Sequence, residues 1–275
     1  MNLDLIIASK IFTKFCLEFL EKSRLSYLDP KLNEKYMKNV VVTGASGQLG
    51  KAFLDHLSKN SQYKIYALDI NFYSPIVSTN SVEYIEIDIT NEKKVVAFYK
   101  KLNYIDILIN NAGIGTFTPF EDRTVEDFMN VVDVNMKGTF LMCREAIKLM
   151  KLVKKGKIVN IGSIYGMVSS DPRIYGDSGR NNSEVYSMTK AGVLMLTKYL
   201  AVHYAHSNIQ VNAISPGGVI RKQSPDFLNN YNYRTPAGHL AKEADLLPAL
   251  DFLISAKNSY TTGQNIAVDG GFTAW

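Results

Sequence analysis

Three side chains in the second half of the chain have the types and spacing of a proton-transfer site. Tyr186 and Lys190 lie four residues apart in Tyr-Ser-Met-Thr-Lys, so on a helix they would share one face. A nearby ammonium favours the phenolate, which lowers the tyrosine pKa from about 10 and creates a candidate acid and base for an alcohol or carbonyl. Ser163 follows an apolar run at residues 157–161, where a strand would deliver its hydroxyl to a pocket edge. Taken alone, the tyrosine and lysine could equally be a chance pair on a helix surface.

A glycine-rich loop, Thr-Gly-Ala-Ser-Gly-Gln-Leu-Gly at residues 43–50, follows a strand-like run and begins a helix-like one. Glycines in this setting permit a tight turn and let the backbone approach a pyrophosphate at the helix N-terminus. Asp69 ends the next predicted strand about twenty residues on, where a carboxylate accepts hydrogen bonds from a ribose and repels a 2′-phosphate. The loop contains no lysine or arginine. The sequence therefore predicts a dinucleotide site that prefers NAD, with NADP as the alternative.

Two further strand ends carry polar residues that would reach the same site. Asp88 could meet an adenine amino group, or it could instead cap the helix that is predicted to begin near Asn91. Asn-Asn-Ala-Gly at residues 110–113 closes another predicted strand. Small residues at the carboxyl edge of a parallel sheet let backbone and amide groups approach a cofactor, although the same four residues would also make an ordinary turn.

Strand-like and helix-like stretches alternate from residue 38 to the end of the sequence. Strands are predicted at residues 40–43, 64–69, 82–88, 105–110, 157–161, 209–214 and 264–268, with helices at residues 91–101, 124–152, 183–206 and 242–255 and one after the glycine loop. This alternation predicts an α/β fold with a doubly wound parallel sheet in a single domain at residues 38–275. Residues 1–37 form an extension with an amphipathic helix at residues 3–22, for docking, assembly or a membrane face, and Met37 is an alternative start.

Composition bounds the class of protein. Of the 275 residues, 46% are hydrophobic and 21% are charged, so the chain can bury a full core. The net charge of +5 comes without a dense basic block, and no motif predicts nucleic-acid binding. No apolar run is long enough for a membrane span, and the N-terminus lacks a basic region typical of a signal peptide, so we expect a cytoplasmic protein. Two distant cysteines fit a reducing compartment. No metal site is expected from the histidines, which are His56, His203, His206 and His239.

Together, these pieces resemble the short-chain dehydrogenase/reductase family over residues 38–275, in its single-domain branch. The motifs appear in the family's order and are Thr43–Gly50, Asn110–Gly113, Asn135, Ser163, Tyr186, Lys190, Pro216–Val219 and Asp269–Gly271. The resemblance implies a Rossmann fold and an NAD(P)-dependent interconversion of an alcohol and a carbonyl. It implies that Tyr186 is the acid and base, that Lys190 lowers its pKa and binds the nicotinamide ribose, and that Ser163 holds the substrate oxygen. Asn135 would position a water in the proton relay.

The same resemblance assigns the cofactor contacts. They are Gly44, Ser46, Gly47, Gln48, Leu49, Gly50, Asp69, Asp88, Ile89, Asn111, Ala112, Gly113, Tyr186, Lys190, Pro216, Gly217 and Val219. Two features depart from the single-domain branch. The glycine spacing is usual in the longer branch that acts on sugar nucleotides. Ser163 and Tyr186 are separated by 23 positions, which is longer than usual, and the excess is a polar insertion at residues 171–182.

The insertion and the segment at residues 220–240 are expected to border the substrate, the latter as a lid. Their candidate substrate contacts are Arg173, Tyr175, Arg180, Arg221 and Arg234, although they could equally be solvated loop residues. Arginine suits phosphate or carboxylate recognition, so we expect a polar or anionic sugar derivative. The insertion and loop are similar to oxidoreductases of surface-sugar and flagellin-modification pathways. The alternatives are a 3-oxoacyl-type ketoreductase and a non-catalytic dinucleotide-binding regulatory protein. The resemblance also implies a homodimer or homotetramer through the helices at residues 124–152 and 183–206.

Overall fold

Seven parallel strands form one sheet in the computed structural model, which describes residues 37–72, 79, 81–178 and 180–275. The strands are β1 (Lys38–Thr43), β2 (Tyr63–Asp69), β3 (Val82–Glu86), β4 (Ile107–Asn110), β5 (Gly156–Ile161), β6 (Ile209–Pro216) and β7 (Asn265–Val268). Their order across the sheet is β3-β2-β1-β4-β5-β6-β7, and every neighbouring pair is parallel. The predicted α/β fold with a parallel sheet is confirmed. The predicted helix at residues 3–22 lies outside the described residues.

Both faces of the sheet are buried, which explains why the strands are continuous apolar runs rather than alternating ones. In β1, Val41 packs into a core on one face, while Val40 and Val42 pack into a second core on the other face. In β4, Leu108 and Ile107 divide between the two faces in the same way. Helices must therefore cover both faces, and this arrangement leaves the ends of the strands as the places where a ligand can enter.

Seven α-helices of the described residues cover these faces and the carboxyl edge. They are α1 (Gln48–Leu57), α2 (Glu92–Tyr99), α3 (Val125–Val132), α4 (Thr139–Val153), α5 (Glu184–Tyr204), α6 (Pro225–Arg234) and α7 (Leu247–Ile254). Helices α2, α4 and α5 contribute to one core, and α1 and α7 contribute to the other. Side chains of Asn91, Thr124, Ser183 and Ser224 accept hydrogen bonds at the starts of α2, α3, α5 and α6. These caps fix where each helix begins.

The predicted helix at residues 124–152 is not continuous. A π-helical turn at Asp133–Gly138 separates α3 from α4. A Cβ atom on Gly138 would lie 2.7 Å from Cδ1 of Ile89, so the turn packs tightly against the loop after β3. Such turns insert one extra residue into a helix and redirect the side chains that follow. The turn contains Asn135, and the hydropathy pattern of the sequence alone could not predict that this residue lies in a π-helical turn.

The segment at residues 220–240, expected as a lid, contains helix α6. The signal was present in the sequence, because Ser224 and Pro225 match the preferred residues at the cap and first position of a helix. Helix α6 packs its Tyr231 into a small third core with Ile174 and Phe272. The predicted helix at residues 242–255 is instead a 3₁₀ turn at Glu243–Leu246 followed by α7.

The cysteines, any membrane-spanning helix and any group of metal ligands can be checked in the described residues. Cys143 is a buried free thiol whose pKa is raised to about 12 by burial, whereas Cys16 lies outside those residues. Within the same part of the chain, no helix has the length and hydropathy needed to span a bilayer. No cluster of three histidine, cysteine or acidic residues with metal-binding geometry occurs there either.

Candidate active site

A cleft of about 610 Å³ opens at the carboxyl edge of the sheet. Its lining includes every predicted cofactor residue except Gly50, together with Ser163. Tyr186 and Lys190, predicted for both catalysis and cofactor binding, line it as well. The lining residues that the sequence interpretation missed are Leu68, Ile70, Ile87, Ile114, Asn130, Val134, Ile161 and Gly162. Most of these residues are next to a predicted residue in the sequence, so their position beside the predicted strand ends could have identified them.

The glycine loop is held by contacts between backbones that no larger residue could make. Gly44 has a φ of +63°, and a Cβ atom there would lie 2.7 Å from Cα of Ala112. At Gly50, a Cβ atom would lie 2.0 Å from the carbonyl oxygen of Gly44. Gly50 therefore supports the loop from behind, which explains why it does not line the cleft.

The N-terminus of α1 faces this loop and has the features of an anion site. Gly47, the cap residue, supplies no side-chain hydrogen bond, and no acidic residue occupies the first turn. Its first backbone N–H groups and the positive end of the helix dipole are thus available to a phosphate. The Gln48 amide does not point to this position, because it donates hydrogen bonds to the Ile220 carbonyl and to Glu243, each at 2.7 Å.

Two carboxylates lie at the far end of the cleft. Asp69 accepts hydrogen bonds from the backbone N–H groups of Ser46 at 2.8 Å and Ile70 at 2.7 Å, which fix it beside the glycine loop. Asp88 uses Oδ1 to accept hydrogen bonds from the backbone and hydroxyl of Thr90, both at 2.8 Å. Helix α2 is capped by Asn91, so the alternative in which Asp88 caps this helix is wrong.

Asn111 ties the loop after β4 to the glycine loop. Its side-chain amide donates to the carbonyls of Thr43 at 3.1 Å and Gly44 at 2.9 Å. In return, the Thr43 hydroxyl accepts from the N–H groups of Asn111 and Ala112, both at 3.1 Å. A dinucleotide would lie across this junction, and the size of the cleft and its amide donors fit such a ligand.

Ser163, Tyr186 and Lys190 converge at the other end of the cleft. Ser163 follows β5, and its side chain hydrogen-bonds Tyr186 in the first turn of α5. Lys190, one turn further, donates to the carbonyl of Ile161 at 2.8 Å, and its Nζ lies 5.6 Å from the centroid of the Tyr186 ring. The parallel register of the strands thus brings together residues that are 23 positions apart.

The expected direction of the tyrosine pKa is wrong for this structure. Burial raises the pKa of Tyr186, the hydrogen bond with Ser163 opposes this, and the neighbouring phenol of Tyr175 adds to it. Burial also lowers the pKa of Lys190 to about 8. Desolvation disfavours the charged form of both groups, and at this separation it outweighs the attraction that the spacing predicted.

Asn135 lies buried in the π-helical turn and is fixed on three sides. Its Oδ1 accepts from the N–H of Ile114 at 2.9 Å, and its Nδ2 donates to the carbonyl of Ile114 at 2.9 Å and the hydroxyl of Thr189 at 3.0 Å. The side chain therefore joins the loop after β4 to the helix that carries Tyr186. It does not line the cleft, and its side-chain contacts are with the loop after β4 and with α5.

An ion pair that the sequence interpretation missed holds the start of α5. Arg123 is only 5% exposed, and its Nε donates to Glu184 at 3.0 Å. Its Nη1 also donates to the hydroxyl of Thr116 at 2.8 Å. Glu184 precedes Tyr186 by two residues, so this pair fixes the first turn of α5 against the loop after β4. No sequence spacing indicated it, because the two residues lie 61 positions apart.

None of the five predicted substrate residues lines the cleft. Arg173 is 87% exposed and paired with Asp171 at 2.7 Å, and Arg221 is also exposed. The guanidinium of Arg234 lies over the rings of Phe272 and Trp275, the last residues of the C-terminal segment.

Tyr175 and Arg180 lie closer to the catalytic groups. Tyr175 packs its ring against Phe227, hydrogen-bonds Tyr165, and is near enough to Tyr186 to influence its pKa. Arg180 places its guanidinium 4.2 Å from the centroid of the Phe117 ring. Burial raises the pKa of Tyr175, and the positive charge of Arg180 is one of the smaller influences that oppose this rise. The insertion therefore brings the phenol of Tyr175 near Tyr186 and places Arg180 near Tyr175, while Arg173 is paired with Asp171.

Comparisons with known proteins agree with this geometry. A family model described as enoyl-(acyl carrier protein) reductase matches residues 68–273. The uncharacterized short-chain type dehydrogenase/reductase y4vI of Sinorhizobium fredii is 32% identical over 249 residues, which cover 85% of this chain but only 43% of that protein. The 3-oxoacyl-[acyl-carrier-protein] reductase FabG of Rickettsia bellii is 33% identical over 242 residues, with 85% of this chain and 96% of that protein covered.

A solved structure is more similar still. The crystal structure of a short chain dehydrogenase from Leptospira borgpetersenii with bound NAD+ is 45% identical in sequence and superposes with a TM-score of 0.82. The match covers 86% of this chain and 93% of that one. The fold is thus shared with a protein whose crystal structure contains bound NAD+.

Burial of the Lys190 charge should be measurable as a loss of stability. The lowering of its pKa from 10.5 to about 8 corresponds to a destabilisation of the folded protein by roughly 3 kcal/mol at pH 7. Substitution of Lys190 removes this penalty but also removes the hydrogen bond to Ile161, which contributes about 1 kcal/mol. We expect Lys190→Met to raise the free energy of unfolding of the cofactor-free protein by about 1–2 kcal/mol at pH 7. Between the folded and unfolded pKa values the unfolded state binds more protons, so wild type gains stability as pH rises from 8 to 10.5. Urea unfolding should show that the stability advantage of Lys190→Met over wild type is smaller near pH 10 than near pH 7. A Lys190→Met variant that is less stable than wild type at pH 7 would contradict this account.

Proposed function

The chain belongs to the short-chain dehydrogenase/reductase family and is an NAD(P)-dependent oxidoreductase; from this premise we propose that it interconverts a secondary alcohol and a carbonyl on a polar or anionic sugar derivative. The single observation that supports the reaction is the convergence of Ser163, Tyr186 and Lys190 at one end of a dinucleotide-sized cleft. A hydroxyl, a phenol and an ammonium in this arrangement can hold a substrate oxygen and move its proton.

The chain's own residues would divide the work as follows. Ser163 would donate a hydrogen bond to the substrate oxygen, and the Tyr186 oxygen would take the proton of an alcohol or return it to a carbonyl. Lys190, still mostly protonated at pH 7, would stabilise the phenolate once a ligand and its waters replace part of the burial. The bound dinucleotide would supply or accept the hydride. Asn135 would hold the helix and the loop after β4 in register and assist a water in the relay.

The cofactor would be held by groups on both sides of the point between β1 and β4 where the order of the strands in the sheet reverses. The N-terminus of α1 would bind the pyrophosphate, and Lys190 and Asn111 would lie along the nicotinamide half. NAD is the preferred form in this proposal, because Asp69 is fixed beside the loop where a 2′-phosphate would bring a second negative charge. A kcat/KM for NADH that does not exceed that for NADPH would remove the preference without affecting the reaction.

The reaction is tested by Tyr186→Phe, which removes the phenolic oxygen and keeps the ring. We expect kcat to fall by about 10²–10⁴-fold, because general acid and base catalysis contributes that much, with little change in NADH affinity. Tyr233→Phe, on an exposed face of α6, is the matched control and should retain wild-type rates. Initial rates with a substrate found by screening sugar and nucleotide-sugar panels, with NADH binding followed by fluorescence, would measure both quantities. Undiminished turnover in Tyr186→Phe would refute the assignment.

The polar or anionic character of the substrate is supported by the insertion at residues 171–182. Its Arg180 stands beside Tyr175 and forms no ion pair with any acidic residue among those the structure describes. A guanidinium in that state can take the carboxylate or phosphate of a substrate. Arg173 is already neutralised by Asp171, which makes it the natural comparison within the same loop.

We expect Arg180→Gln to raise KM for an anionic substrate by about 10–100-fold, with kcat nearly unchanged, because a lost charge-assisted contact removes about 1.5–3 kcal/mol of binding. Arg173→Gln should leave both constants within about twofold, since its charge is already paired and exposed. Steady-state kinetics of the two variants provides the measurement. Equal effects of the two substitutions would show that the insertion does not recognise the substrate through Arg180.

A 3-oxoacyl reductase is the second candidate function. It is favoured by the family description and by the FabG relative that is 33% identical across almost its full length. NADPH-dependent reduction of acetoacetyl-CoA, unaffected by Arg180→Gln, would select this candidate over a sugar derivative.

A homodimer or homotetramer is also proposed, through α4 and α5. Both helices expose large apolar side chains on their outer faces, among them Phe140, Met195 and Val202. Val202 is 77% exposed and Met195 63%, which is unusual for apolar residues that recur along one helix. Sedimentation of a stable monomer at micromolar concentration would contradict the assembly.

A further inference from the structure

Helix α6, in the expected lid, has one buried side chain, Tyr231, which is only 2% exposed. Its ring stacks on Phe272 with the two ring centroids 5.1 Å apart, and on Phe227 with centroids 5.7 Å apart. The same small core includes Ile164, which directly follows Ser163. Tyr231 therefore connects the expected lid to the region beside the reacting end of the cleft.

The hydroxyl of Tyr231 reaches the loop that follows β6. Its oxygen accepts a hydrogen bond from the backbone N–H of Gly218. The two residues before Gly218 and the one after it line the cleft, whereas Gly218 itself does not. Because β5 and β6 are neighbours in the sheet, this loop lies beside the loop that carries Ser163. The phenol thus contacts the cofactor cleft from behind.

Glycine at two successive positions makes this approach possible. A Cβ atom on Gly218 would lie 2.6 Å from Cζ of Tyr231, and one on Gly217 would lie 2.9 Å from Cα of Asp269. Neither glycine has a positive φ. Space for the neighbouring groups, rather than backbone conformation, therefore requires glycine here.

Backbone partners hold the loop on either side of Gly218 but not at Gly218 itself. The N–H of Gly217 donates to the Val268 carbonyl at 2.9 Å, and that of Ile220 donates to the Ala241 carbonyl at 2.8 Å. The N–H of Gly218 donates to a side chain, so its position depends on where α6 lies. Removal of the phenolic oxygen would leave this partly buried donor without its partner, which is unfavourable.

Tyr231 has no direct part in proton transfer. It does not line the cleft. Burial raises the pKa of Tyr231 to about 12, although the hydrogen bond from Gly218 opposes this rise. The phenol therefore stays neutral near pH 7, and it can act on the reaction only through the loop that it holds.

We propose that Tyr231 is a positioning residue, whose hydroxyl fixes the loop at residues 216–219 against the nicotinamide ring. The lid and the nicotinamide end of the cleft would then share one contact. The inference rests on the proposed function for the placement of the nicotinamide beside Ser163 and Tyr186. The contact matters to the reaction because a displacement of about 1 Å between reacting groups can lower a rate by about 10²-fold.

The proposal is tested by Tyr231→Phe, which removes the oxygen and keeps the stacked ring. We expect the Kd for NADH to rise by about 3–10-fold, because without this bond the loop occupies its competent position less often. ADP carries the adenosine and two phosphates but no nicotinamide, so its Kd should stay within about twofold. Isothermal titration of the full chain at pH 7 measures both constants. Tyr233→Phe, two residues further along α6 and 92% exposed, is the matched control and should change neither.

A second variant, Gly218→Ala, breaks the same contact without removing the phenol. Its Cβ atom would displace the Tyr231 ring. We expect this variant also to weaken NADH binding more than ADP binding. Because both substitutions act through one contact, the effect of the double variant on the Kd for NADH should be smaller than the product of the two single effects.

Two results would overturn the proposal. One is an unchanged Kd for NADH in Tyr231→Phe, and the other is an equal weakening of NADH and ADP, which would indicate a general loss of structure. Lys190→Met tests the placement of the nicotinamide separately, since the proposed function puts Lys190 along that half of the cofactor. If Lys190→Met weakens NADH but not ADP, the placement stands whatever Tyr231→Phe shows. If it weakens neither, the placement in the proposed function is wrong, and the role of Tyr231 is still decided by Tyr231→Phe.

Discussion

The close approach of two loops at the carboxyl edge of the sheet is the constraint on which the site depends. Strand β1 lies between β2 and β4, so the chain leaves it in one direction and later returns on its other side. A crevice opens where the order reverses. The loops after β1 and β4 then meet with Gly44 against Ala112, and Thr43 and Asn111 exchange hydrogen bonds across the junction. Any side chain at Gly44 would separate them and alter the floor of the cleft.

The reacting end of the cleft depends on a different property, which is burial. Lys190 is buried and Tyr186 is partly buried, and burial shifts the pKa of each so as to disfavour its charged form. Burial of an ammonium group whose pKa lies near neutral pH lowers the stability of the folded protein, but the protonation state of that group can then respond to a bound ligand. The Arg123–Glu184 pair holds one end of the region, and Asn135 holds the other.

Much of the fold could be predicted from the sequence, because its main signals are local. Buried strands are mostly apolar runs, and all seven predicted strands have bounds within two residues of the observed ones. Helix α6 was missed although its Ser224 and Pro225 form a recognisable start, since the polar character of the segment indicated a loop. The π-helical turn at residues 133–138 had no local signal. Its last residue, Gly138, packs closely against Ile89, a contact between distant segments.

What the sequence by itself determined about this protein is the identity and order of its chemical groups: a glycine loop, an acidic strand end, and a tyrosine one helical turn before a lysine. These follow from local spacing, which a helix or a strand end converts directly into geometry. The tertiary structure decided how burial shifts the pKa values of Tyr186 and Lys190, and which arginine of the insertion lies near Tyr175. Such facts depend on desolvation and on contacts between distant segments, and neither is encoded in spacing along the chain.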